Sequence, residues 1–179
     1  VKMLTMNVDC RVLIRLRNYL LIRGACLASV ACSSTASNRQ PCVILQQSAQ
    51  CVAVSRADAV VSSDAKMMSP AEAGYSYLYV ARPYAQQRSV ASRVFVDGKQ
   101  VAELGPMTFA RVKIGGGEHV VTIATENVQD RQISVRGSQD THIQYQLTES
   151  FFSVSPETKF LERSEMKMKI HRLEMVAPL

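Results

Sequence analysis

From Tyr75 onward the apolar residues recur with a period of two. Tyr75, Tyr77 and Tyr79 alternate with Ser76, Leu78 and Val80, which predicts a strand covered on both faces and ended by Pro83. Val94 and Val96 flank Phe95, and Asp97-Gly98 follows. Both central positions of a type I′ turn need positive φ, so this pair predicts a hairpin that returns over residues 101–104. Gly105-Pro106 punctuates the chain, after which Thr108, Ala110, Val112 and Ile114 alternate with Phe109, Arg111 and Lys113. Gly115-Gly116-Gly117 turns it again, and His119, Val121 and Ile123 alternate with Val120, Thr122 and Ala124. Ile133 and Val135 mark a shorter strand. Ile143, Tyr145 and Leu147 then oppose His142, Gln144, Gln146 and Thr148. About six to seven short strands with closely spaced turns predict a small, all-β antiparallel sandwich. At the end, Ser164-Glu165 reads as a helix start, with Met166, Ile170 and Leu173 on one face. Met166, Met168 and Ile170 also fit a strand, but the Met, Lys, Glu and Arg content favours a C-terminal helix.

The first part of the chain follows a different pattern. Arg11, Arg15 and Arg17 precede an apolar run over residues 20–31, which closes on Ser29-Val30-Ala31-Cys32. A positive segment, a short apolar stretch and small residues before a cut are the parts of an export signal. The run falls short of the roughly 20 apolar residues that a membrane span needs. The arrangement resembles bacterial lipoprotein signals, whose cysteine becomes the acylated first mature residue. Ser29 stands where such signals usually carry leucine, and Arg23 interrupts the apolar run. Under this resemblance Cys32 is the lipidation site, carrying palmitate. Ser33 beside it implies the outer membrane, facing the periplasm. The alternative is an ordinary cleaved signal and a soluble periplasmic or secreted protein. Residues 33–73 are rich in Ser, Ala and Gln, with Pro41 and Pro70, and read as a flexible tether. The expected organisation is a signal peptide over 1–31, a low-complexity tether over 32–73 and a β-sandwich domain with its terminal helix over 74–179.

That division changes the meaning of the charge. The formal net charge of +6 and pI near 9.2 point toward nucleic acid. Yet Lys2, Arg11, Arg15, Arg17 and Arg23 stand against only Asp9 in the signal, and the remaining basic residues are scattered. No phosphate-binding footprint remains, so nucleic acid is not an expected partner. Beyond Cys32 the cysteines are Cys42 and Cys51. In an oxidising compartment they either close a disulfide or remain idle thiols; their spacing is wider than a redox Cys-X-X-Cys.

Candidate chemistry is sparse. Gly115-Gly116-Gly117 leads into β-branched residues rather than a helix, so it is a turn and not a phosphate loop. His119, His142 and His171 share no metal-ligand spacing, and no Gly-x-Ser-x-Gly elbow occurs. Asp97, Asp130 and Asp140 sit in turn-like contexts, where aspartate is favoured by local hydrogen bonding. The expectation is a protein that is not an enzyme and has no metal or cofactor, a hydrolase ranking last. Tyr75, Tyr77, Tyr79 and Tyr84 form the one aromatic cluster. They read first as core and second as a binding surface for a glycan or a protein of the envelope.

The run Tyr77-Leu78-Tyr79-Val80-Ala81-Arg82-Pro83, then Val94-Phe95-Val96-Asp97-Gly98-Lys99-Gln100-Val101, then Gly116-Gly117-Glu118-His119-Val120-Val121 resembles, in that order, a family of small bacterial lipoproteins called domain of unknown function 2846. Residues 75–176 carry the resemblance. Gly116 replaces the family's usual proline, and Phe109 stands where a tyrosine is common. More loosely, the hairpin and the Gly-x-His turn resemble PEGA-like and transthyretin-like β-sandwiches. The resemblance implies an envelope protein anchored to the membrane through its lipid, with a binding or scaffolding sandwich, and brings no catalytic residues.

Overall fold

The alternation is realised as two sheets packed face to face in the computed structural model, which describes residues 39–41 and 51–179. In chain order the elements are β1 (Arg39–Pro41), β2 (Ala53–Ser55), α1 (Ala59–Met67), β3 (Tyr75–Arg82), β4 (Ser92–Val96) and β5 (Lys99–Leu104). There follow β6 (Thr108–Gly115), β7 (Glu118–Thr125), β8 (Val128–Arg136), β9 (Thr141–Glu149), β10 (Val154–Phe160), α2 (Arg163–Ile170) and β11 (Glu174–Met175). One sheet has the order β10-β9-β3-β6-β11 and the other β5-β4-β7-β8, while β1 and β2 pair as a separate ribbon. The fold is a β-sandwich with a short C-terminal helix.

Two features of the sheets depart from the antiparallel expectation. β3 runs parallel to β9, and β11 parallel to β6. After β3 the chain crosses to the other sheet for β4 and β5, returns as β6, crosses again for β7 and β8, and returns as β9. That second return brings β9 alongside β3 in the same direction. The two sheets hold nine strands among the described residues, more than the alternation indicated. β10 carries Pro156, which an edge strand tolerates, and β11 is two residues long, so neither has a legible pattern.

β3 explains why its sequence is apolar on both faces. Leu78 and Val80 point between the sheets, where they join Val94, Leu104, Val121, Ile123, Ile143 and Tyr145. Tyr79 and Ala81 point the other way, onto a second cluster with Phe109, Ala65 and Met68 beside α1, and Met166 and Ile170 of α2. The helices are therefore a third layer over the larger sheet. α2 uses Met166, Ile170 and the following Leu173 as its buried stripe, the face expected for a helix.

The layer also moves the domain boundary. Residues 51–73 were expected within the tether, yet Val54, Ala65 and Met68 are completely buried. The folded part therefore begins well before residue 74. Composition hid this because α1 is short and rich in Ala and Ser, with Ala65 its one buried residue. The expected signal over 1–31, Cys32 and Cys42 lie outside the described residues.

At the end of the sandwich opposite Arg82, turn chemistry behaves as read. Asp97 and Gly98 both have positive φ, at 51° and 80°. The Asp97 carboxylate accepts from the Val120 amide at 2.9 Å and meets His119 Nδ1 at 2.7 Å; His119 Nε2 faces the Gly115 carbonyl at 3.1 Å. Two acceptors around one imidazole favour the protonated ring. The hydrogen bond to Asp97, then that to Gly115, raises the His119 pKa above its ordinary value, while the hydrogen bond from His119, then that from the Val120 amide, lowers that of Asp97. Gly137 closes the end by lying on the Gly115 backbone: a Cβ there would stand 1.7 Å from the Gly115 oxygen.

Two outcomes follow. Gly137→Ala forces backbone apart and lowers stability by about 1–3 kcal/mol or more, read as a reduced urea midpoint at unchanged slope. The His119–Asp97 contact stabilises fully below the ordinary histidine pKa and fades as pH rises through the raised one; the lowered Asp97 pKa makes it fade again in strong acid. Thermal melts should therefore show a fall in stability from about pH 6.5 upward, and His119→Gln should flatten that fall. An equal slope in the variant would discard the contact as its source.

Candidate functional site

The other end of the sandwich carries the loops over residues 83–91, 126–127 and 150–153. They are organised from below by Arg82, the last residue of β3. Alternation places it on the inter-sheet side with Leu78 and Val80, and it is 1% exposed. One guanidinium nitrogen donates to the Val90 carbonyl at 2.6 Å and to Ser92 Oγ at 3.3 Å. The other donates to the carbonyls of Gln86 and Gln87 at 2.9 and 2.7 Å. Burial pushes the Arg82 pKa down to about 10, so it remains a cation at neutral pH. The chain of contacts continues through the core. Thr125 Oγ1 donates to Ser92 Oγ at 2.8 Å and lies 2.8 Å from the Tyr145 hydroxyl, which is then the donor of that pair. Burial raises the Tyr145 pKa and keeps that proton in place.

Above this network sits an open cleft of about 540 Å³ between the three loops, with Gln87, Glu126, Asn127, Glu149 and Phe152 among its walls. Gln87, at φ 50°, donates through its amide and its side chain to Glu149 Oε1 at 3.3 and 3.0 Å, which ties the first loop to the β9–β10 turn. That turn reads Ser150-Phe151-Phe152-Ser153 and is closed by the Ser150 amide on the Ser153 carbonyl at 2.8 Å. Phe151 is 99% exposed and Phe152 is fully exposed, their rings 6.5 Å apart and inclined at 46°. From Glu149 the surface continues past Tyr84 to the end of α2, where Lys169 Nζ stands 6.0 Å over the Tyr84 ring beside Met168 and Arg172.

The tyrosines, read first as core and second as a binding surface, are divided by the structure. Tyr79 is completely buried, its hydroxyl donating to the Ala65 carbonyl of α1 at 3.5 Å. Tyr77 stacks edge-on to Tyr79 and lies 4.7 Å beneath Arg111, which is itself bound to Asp64 at 2.7 Å. Lys113 sits 4.2 Å over the exposed Tyr75 ring and bonds Glu72 at 2.6 Å. Cations of β6 and carboxylates of residues 51–73 thus border the row. Tyr84 lies beyond the far end of β3 from Tyr75, on the loop surface.

The histidines are kept apart. His119 serves the turn contact, and the carbonyl of His171 accepts from Lys66 Nζ at 3.4 Å. His142 is buried 5.5 Å from the Tyr79 ring, and burial lowers its pKa. Among the described residues no three His, Cys, Asp or Glu side chains are grouped to hold a metal ion. Cys51 is disulfide-bonded. Arg82 and the Phe151-Phe152 pair were missed in the sequence. The available signals were an arginine in an inward-facing strand position and two aromatics between serines. Comparison with known families, curated proteins and solved structures finds no match to this chain.

Replacing Arg82 with lysine keeps the charge and removes the fork that reaches both sides of the loop. With two part-buried carbonyls left unpaired, stability falls by about 1–3 kcal/mol. Hydrogen exchange at residues 84–91 should accelerate, while the Asp97-Gly98 turn stays protected. Equal exchange at both ends would refute the loop-ordering role.

Proposed function

We propose that the chain is an exported, lipid-anchored protein of the bacterial cell envelope, held at the outer membrane and facing the periplasm, with its sandwich as a binding or scaffolding module. The observation that carries the binding half is the loop end: a buried cation is committed to holding loop carbonyls, and the turn it indirectly steadies carries two fully exposed phenylalanines. Binding residues commonly sit on loops held by a rigid scaffold. Arg11, Arg15 and Arg17, the apolar run and Ser29-Val30-Ala31-Cys32 support the export and anchoring half, together with the resemblance to domain of unknown function 2846.

The earlier start of the folded part shortens the anchor. Only seven peptide steps separate Cys32 from Arg39 at the start of β1, a reach of about 25 Å at full extension. An acylated Cys32 therefore keeps β1 close to the bilayer surface. Radiolabelled palmitate should enter the wild-type chain and be lost in Cys32→Ala. Absence of label from both would reject the anchor and leave a periplasmic or secreted protein as the better reading.

A further inference from the structure

Two aromatic side chains in full contact with water are costly unless something covers them. The rings of Phe151 and Phe152 lie 6.5 Å apart and are fully exposed. Their rings diverge by 46°, so one flat groove does not receive both, whereas acyl chains conform to any shape. The turn that carries them contains only Ser150 and Ser153 besides, so no charge enters an apolar phase with the rings. Its closing backbone hydrogen bond is already made within the turn.

The surroundings are graded in polarity. Tyr84, 40% exposed, shares a shallow pocket with Glu149, the residue before the turn, and is suited to the boundary between headgroups and acyl chains. Lys169 and the exposed Arg172 line one shallow groove together with Met168, and Lys169 stands over the Tyr84 ring. Glu165 lies 3.9 Å from Lys169, which limits its repulsion of lipid phosphates, while Glu126 and Glu149 belong to the cleft walls next to Phe152.

We propose that this loop end docks on a lipid bilayer: Phe151 and Phe152 enter the acyl region, Tyr84 lies at headgroup level, and Lys169 and Arg172 face phosphates. The inference names the partner of the loop end and rests on the reading of the chain as an envelope-membrane protein. The short link from Cys32 to β1 is its second support, since an anchored domain on that link remains beside the membrane.

The chain contains no tryptophan, which makes a local test clean. Phe151→Trp in the full chain, with Cys32→Ala to remove acylation, places a single reporter on the turn. Adding phosphatidylcholine–phosphatidylglycerol vesicles should shift its emission to the blue, and brominated lipid should quench it. Adding Phe152→Ser should weaken the titration by about tenfold, the order expected for one ring withdrawn from an apolar phase. Emission that stays water-like while the chain floats with vesicles would overturn the proposal, because binding would then come from elsewhere in the chain. No flotation at all would overturn it too. Quenching without palmitate labelling of the wild type rejects the anchor and keeps the docking surface; labelling without quenching does the reverse.

Discussion

Arg82 is where the two sheets and the loop end depend on one another. A cation taken from water costs several kcal/mol unless its hydrogen bonds are replaced. Here the replacements are carbonyls of the β3–β4 loop and the hydroxyl of Ser92. The loop needs the arginine as much as the reverse, because its inward-turned carbonyls would otherwise lack donors. Ser92 belongs to the opposite sheet, Thr125 to the strand beside it, and Tyr145 to the sheet of Arg82. A polar path thus links both layers through the core.

The two ends of the sandwich use different means. Below, close backbone contact between Gly137 and Gly115 and the His119–Asp97 contact leave little room for variation. Above, the loops are steadied from inside while their outer side chains remain in solvent. Such a division leaves the upper surface free to serve recognition without weakening the core. The helical layer has another task. It covers the outward face of β3 and β6, burying Tyr79 and Phe109 and drawing Arg111 and Lys113 into contacts with Asp64 and Glu72.

This arrangement changes how an anchored protein would work. A long tether would let the domain search for partners away from the membrane. A short one confines it, and favours a role on the bilayer or on whatever lies directly against it. The aromatic turn, the tyrosine and the α2 cations lie on one continuous rim, a distribution suited to such a surface.

Much of the fold was readable because strand alternation is a local property. The faces of β3, the inward face of β9, the Asp97-Gly98 hairpin and the buried stripe of α2 follow from neighbouring residues alone, whereas the burial of His142 and Gln144 on the other face of β9 does not. The candidate site was less legible. Tyr79 and Tyr75 share one strand face and look equivalent in sequence, but only one lies beneath α1. The parallel pairing of β3 with β9 and the recruitment of Val54 and Ala65 were also hidden. Local chemistry determined which residues turn or alternate. Tertiary structure decided which faces meet, because burial and hydrogen bonding to Arg82 depend on atoms brought together from distant parts of the chain.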